Sequence, residues 1–166
     1  MAKSKPTGKS SSLKDVDKGY RSLMRRLGNQ KNAGVQVGVF GDGSDKTYED
    51  GITVGYLAEI HEYGLGNNPE RSWLRAYVDA NRDRIHEMLR VVAQEHLKKK
   101  MPLEQGLNLV GLKIVGEIQQ RIADGIAPPL TEATIRRKGS TTPLIDTGQF
   151  RSSISHLAML DMVLRF

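Results

Sequence analysis

Apolar positions recur along the chain in two rhythms, and each change of rhythm marks an element. Leu13, Val16, Tyr20, Leu23, Met24 and Leu27 fall three and four apart, the spacing that stacks side chains on one face of an α-helix. Gly28 then supplies a helix stop. The period drops to two at Val35, Val37 and Val39, alternating with Gln36 and Gly38 and closed by Phe40, which predicts a half-buried strand. After the loop from Gly41 to Gly51, Ile52 to Val54 is placed to return as a short partner strand. Tyr56 to Tyr63 restores the helical rhythm, with Gly64 behind it as the cap.

The turn-forming run LGNNP at 65–69 separates this helix from a longer one. From Arg71 onward, Leu74, Val78, Ile85, Leu89, Val92 and His96 mark an inward stripe that Trp73, Tyr77 and Met88 broaden. Lys98, Lys99 and Lys100 end it where cations suit the negative end of the helix dipole. Pro102 restarts a helix with Leu103, Leu107, Val110, Ile114, Ile118 and Ile122 on one face, interrupted by Gly106, Gly111 and Gly116. Each interior glycine costs about 1 kcal/mol relative to alanine, so tight contact or a bend is expected to offset it.

Ala127, Pro128 and Pro129 break that helix, Thr131 caps a short one through Lys138, and Gly139 terminates it. After Pro143, Asp146 or Thr147 is placed to cap a last short helix. Ala158 to Phe166 alternates as a final strand, expected on the same sheet as Val35 to Val39. The pattern predicts an α+β fold: a small antiparallel sheet packed against two long helices, with an N-terminal helix and short accessory helices. It assigns one domain to residues 13–166, behind a basic arm at 1–12 (MAKSKPTGKSSS) that reads as disordered.

Composition narrows the function classes. The sequence has 166 residues, 38% of them hydrophobic and 27% charged, with 17 glycines, which suggests a lean core. No run of about 18 apolar residues and no signal-peptide centre appears, so a soluble protein with no membrane partner is expected. The absence of cysteine excludes disulfides and thiolate metal sites. Twenty-five Lys and Arg against nineteen Asp and Glu give a net charge of +6, which favours polyanionic neighbours.

Motifs for catalysis or cofactors do not assemble. Gly8-Lys9-Ser10 lacks the glycine five positions earlier that a phosphate loop needs, since Lys3 stands there. Asp42, Ser44, Asp45 and Glu49 miss the alternation of a calcium loop. His61-Glu62 would begin a zinc-protease helix only with a histidine at 65, where Leu65 stands, so a structural or interfacial role is expected for His61. Leu144-Ile145-Asp146-Thr147-Gly148 spells the signature of a dimeric aspartic protease, in which two carboxylates share a proton. Gln149-Phe150-Arg151 follows where a small residue is usual, and the chain reads as mostly helical, so Asp146 as a helix cap is the simpler reading. No cofactor is expected.

Two blocks carry a family resemblance. PPLTEATIRRKGSTTPLIDTGQFRSSI, beginning at Pro128, and YLAEIHEYGLGNNPERSWLRAYVD, beginning at Tyr56, together resemble the tail-completion proteins of tailed bacteriophages, also called virion morphogenesis or head–tail joining proteins. In the second block Pro69-Glu70-Arg71-Ser72-Trp73 stands where the family commonly has Pro-Ala-Arg, then Pro or Ser, then Phe. The resemblance implies a non-enzymatic structural protein of the virion neck, assembled in the bacterial cytoplasm as a ring, sixfold by expectation, around the DNA channel. The partners it implies are other copies, the head-completion or connector ring, the tail terminator or tube, and passing double-stranded DNA bound without sequence specificity.

Arginine and large aromatics anchor interfaces. Tyr63, Arg71, Trp73 and Leu74 are therefore expected at one contact, and Arg136, Arg137, Lys138 and Phe150 at another, with core packing as the alternative for Trp73 and Phe150. Lys3, Lys5, Lys9 and Lys14 are the candidate DNA-facing residues. A nucleic-acid-binding module is the competing class; it would add Arg21, Arg25, Arg26 and Lys98 to Lys100, but aromatics for base stacking make up only 5% of residues.

Overall fold

A computed structural model describes residues 19–28, 33–48, 50–132, 135–136 and 148–160. Its organising element is a 22-residue helix, Leu103–Asp124, that starts directly after Pro102. In chain order the described elements are α1 (Tyr20–Gly28), β1 (Gly34–Val39), α2 (Asp42–Asp45), α3 (Val54–Tyr63), α4 (Arg75–Ala80), α5 (Arg82–Leu97), α6 (Leu103–Asp124), α7 (Gln149–Ser153) and β2 (Ile154–Met159). The fold is α+β, with one two-stranded antiparallel sheet among the described residues.

Helix α6 lies between α5 and the sheet, and its inward face is the one its periodicity marks: Leu107, Val110, Ile114, Ile118 and Ile122 are buried. Two of its glycines owe their place to close approach. A Cβ on Gly106 would sit 2.4 Å from Val92 Cγ1 of α5, and one on Gly111 would sit 2.3 Å from the His156 ring of β2. Such distances lie far inside van der Waals contact, so only glycine lets both neighbours reach the helix. Tight contact, not a bend, offsets the helical cost at these two positions.

Strand β1 pairs with β2 from Gly34 opposite Met159 to Val39 opposite Ile154. The final strand therefore joins the predicted sheet but occupies 154–159, starting four residues earlier than the expected Ala158. The physical reason is His156, a polar side chain on the face turned to α6, which breaks the apolar alternation that would have announced the strand. Helix α7 precedes it, and Gly148 in the left-handed region (φ 76°) holds the N-terminal cap position without a side-chain bond. Asp146 and Thr147, the expected caps, lie outside the described residues, as do the arm at 1–12, the first turns of the N-terminal helix, the expected helix end at Lys138 and Gly139, and the tail at 161–166.

Three further expectations change. The loop after β1 forms a single helical turn, α2, and is closed by one bridge between Thr47 and Thr53 instead of a returning strand. Val54 already belongs to α3, which Thr53 Oγ1 caps by accepting from Tyr56 N at 3.2 Å and which Gly64 (φ 67°) ends. The long helix from Arg71 is two helices. Asn81 leaves the helical region (φ −119°, ψ 14°) between them; its Nδ2 donates to Tyr77 O at 2.8 Å and its Oδ1 accepts from Arg84. Its own N–H still reaches Tyr77 O at 3.1 Å and its carbonyl accepts from Ile85 N at 2.9 Å, so the chain changes direction without losing the helical bonds at this residue.

Candidate functional site

The two sequence blocks that carry the resemblance meet in space. Trp73 and Phe150 stack edge to face with ring centroids 5.2 Å apart and planes at 89°, a geometry that matches the positive edge of one ring to the negative face of the other. Both are core residues, 3% and 1% exposed, and Trp73 Nε1 donates to Ala58 O at 3.1 Å. Arg71 is equally buried. Its Nε donates to Pro128 O at 2.8 Å and its Nη2 to Pro129 O at 3.3 Å, so it straps the two blocks together through carbonyls. Burial lowers its pKa from the usual guanidinium value. Trp73 and Phe150 therefore take the core alternative, and Arg71, expected at a contact, is likewise buried and spends its guanidinium on carbonyls of its own chain.

Beside this junction Glu62 organises the start of α4. Its carboxylate accepts from Ser72 Oγ (2.7 Å), Leu74 N (2.9 Å), Arg75 N (2.9 Å) and Arg75 Nε (3.2 Å). It caps the helix from another element, satisfying backbone donors that a helix start leaves unpaired. Burial pushes the carboxyl up, but the bonds from Leu74, Ser72 and Arg75 outweigh it and hold the pKa below its usual value. Arg75 also bonds Glu70 at 2.7 Å and lies 5.0 Å over the Tyr63 ring. Tyr63 is 57% exposed, Leu74 is partly buried, and Arg136 is exposed beside Glu132 at 3.8 Å. Tyr63 and Arg136 are thus the predicted contact residues that face solvent. Arg137, Lys138, Lys3, Lys5, Lys9 and Lys14 lie outside the described residues.

A second cluster joins α4, α5 and α6. Tyr77 donates its hydroxyl to Glu117 Oε2 at 2.5 Å; Arg84 contributes Nη1 to Oε1 at 2.8 Å and Nη2 to Oε2, and Lys113 stands 3.1 Å away. The Arg84 bond, aided by Tyr77 and Lys113 against the effect of burial, brings the Glu117 pKa down to about 2. Burial and the adjacent carboxylate push Tyr77 up to about 12. The cluster ties the three helices together through these bonds. It borders a groove of about 500 Å³ lined by Tyr77, Glu117, Gln120, Arg121, Asp124 and Ile126.

Sequence reasoning missed Glu62, Tyr77, Arg84 and Glu117 as a group. Nothing in their spacing brings 62 to 72–75, or 117 to 77 and 84; only the packing of α3, α4 and α5 does. The lysines at the end of α5 are partly neutralised, because Glu95 takes Lys98 at 3.0 Å and Lys100 at 3.8 Å. Among the described residues no group of three His, Asp or Glu is placed to hold a metal ion, and no helix is long and apolar enough to cross a membrane. The chain matches no protein-family profile, no curated protein and no solved structure.

Proposed function

We propose that this chain is a structural protein of the tailed-phage neck, which completes the tail and joins it to the head as part of a ring around the DNA channel. The observation that carries the reading is the union of the two resembling blocks. Arg71 reaches Pro128 and Pro129, and Trp73 meets Phe150, across sequence separations of 57, 58 and 77 residues, the last being 150 − 73. Residues that resemble one family in two distant stretches thus form one junction. In this role the junction is a rigid base, and the contacts to neighbouring neck proteins fall on exposed groups such as Tyr63 and Arg136. The particle is built in the host cytoplasm, and DNA passes without sequence-specific binding.

The test is electron microscopy of particles from a phage or prophage that lacks this gene. Separate DNA-filled heads and tails are the expected product. Normally joined particles would remove the neck reading.

A further inference from the structure

From Arg71 onward, the described arginines are engaged by their own chain with two exceptions. Arg71 holds prolyl carbonyls, and Arg75, Arg82, Arg84, Arg90 and Arg136 each face a carboxylate. The guanidinium groups of Arg121 and Arg151 have neither a hydrogen bond nor an ion pair among the described residues, and Arg121 Nε is buried without an acceptor. A buried donor left in that state costs about 1–3 kcal/mol, so its position calls for a reason.

Each of the two arginines lines a hollow. Arg121 stands in the groove of about 500 Å³ beside Tyr77 and Glu117, and Arg151 in a second hollow of about 310 Å³ with Gly116, Gln119 and Ser152. Gln120 lines both, so the two adjoin along the C-terminal half of α6. Gly116 keeps the second one open, since a Cβ there would meet nothing within 4 Å.

Charge and hydrogen-bonding capacity select the occupant. Arg84, Lys113, Arg121 and Arg151 stand against Glu117 and Asp124 in and beside the hollows, and four less two leaves +2. Gln119 Nε2 is given to Arg151 O at 3.0 Å and Gln120 Nε2 to Asp124 Oδ1 at 2.7 Å, which leaves the amide oxygens of both free to accept. An occupant must therefore bring anionic acceptors for two arginines and N–H donors for two amides. A phosphodiester backbone brings acceptors alone and would meet the exposed Asp124 carboxylate. A peptide with acidic side chains brings both kinds of group.

We propose that the two hollows form one docking groove for an extended, carboxylate-bearing segment of a partner protein. Arg121 and Arg151 take the carboxylates, and Gln119 and Gln120 accept main-chain N–H groups. The groove is built by α6, α7 and the chain just after α6, and it is independent of the neck reading.

The probe is fluorescein-labelled hexaglutamate, its anisotropy followed on titration with the full chain at low salt. It should bind, and Arg121→Gln and Arg151→Gln should each weaken binding about tenfold, the loss of one hydrogen-bonded charge. Arg90→Gln removes the same charge from an exposed pair with Glu87 and should change binding by less than about twofold. Gly116→Leu alters no charge but fills the second hollow, so it should weaken binding about tenfold without lowering the melting temperature. Arg151 is exposed, so Arg151→Gln keeps the fold and remains decisive where Arg121→Gln unfolds. A peptide that does not bind would overturn the proposal. So would equal losses in Arg90→Gln and the groove variants, undiminished binding in Gly116→Leu, or a short DNA duplex that binds the same residues more tightly than the peptide does.

Discussion

The junction around Glu62, Arg71 and Trp73 and the outer face of α6 spend their anchoring residues in opposite directions. At the junction an arginine, a glutamate and two aromatics are turned inward and satisfied by their own chain. On α6, two leucines and a glycine are turned outward, away from the core that the rest of the helix builds. A residue's chemical suitability for an interface therefore does not place it at one. What decides is whether the fold has already used it, and the fold uses Arg71, Trp73 and Phe150 to close the two halves of its own core.

Breaking the junction should have the largest effect. Trp73→Ala or Phe150→Ala should each cost about 3–5 kcal/mol, the range for deleting a large buried aromatic, measured by urea unfolding. A double-mutant cycle with leucine at both positions should return a coupling of about 1 kcal/mol for the edge-to-face pair. Additive losses would show that the rings pack independently.

Next in size is the carboxylate hub. Glu62→Gln should cost about 2 kcal/mol, in the range for weakening several hydrogen bonds to a buried charge, and should alter the pH profile. The folded pKa lies below the ordinary 4.5, so the stability Glu62 contributes is present above that value and lost as pH falls through the lower folded one. Glu117 behaves alike, its contribution fading between about pH 4.5 and about 2. Stability followed from pH 6 to pH 2 should therefore fall less steeply in Glu62→Gln and Glu117→Gln than in the unaltered protein. Tyr77 has the opposite sign: its folded pKa is raised to about 12 from 10, so its contribution is full below 10 and is lost as pH rises through 12. One of the five tyrosines should give its phenolate absorbance late in an alkaline titration.

The glycines sharpen the contrast within a single helix. Gly111→Ala should destabilise by about 1–3 kcal/mol, because the new methyl meets the His156 ring. Gly116→Ala should instead stabilise the protein by up to about 1 kcal/mol, the helix-propensity gain at an open site. Equal losses at both positions would erase the distinction between the inner and outer faces. Smallest of all, Arg82→Ala should leave the melting temperature unchanged, since its pair with Asp79 at 3.1 Å is solvent-exposed.

Much of this fold was legible because its longest helix obeys simple rules. Pro102 marks where α6 begins, and a 3.6-residue period from Leu103 to Ile122 marks the face it buries. The break at Asn81 was not legible, since asparagine is tolerated inside helices and here only its backbone angles depart, with the helical bonds of Asn81 and Ile85 still made. The start of β2 was hidden because an inward histidine resembles a surface residue until Gly111 is seen beneath it. The candidate site was harder still. Glu62 sits on a helix where a carboxylate usually faces water, and its role as a cap for α4 spans ten or more residues, not the three of a capping box. Trp73 and Phe150 read as anchors from their chemistry, but whether an anchor holds the chain to itself or to a partner is a property of packing.

The central claim is that this self-anchored fold joins phage heads to tails, and add-back to a deletion lysate tests it most directly. Purified protein mixed with separated heads and tails from phage lacking the gene should restore joined, infectious particles, counted as plaques. A plaque count that stays at the level of the untreated lysate, with protein shown to be folded, would contradict the account.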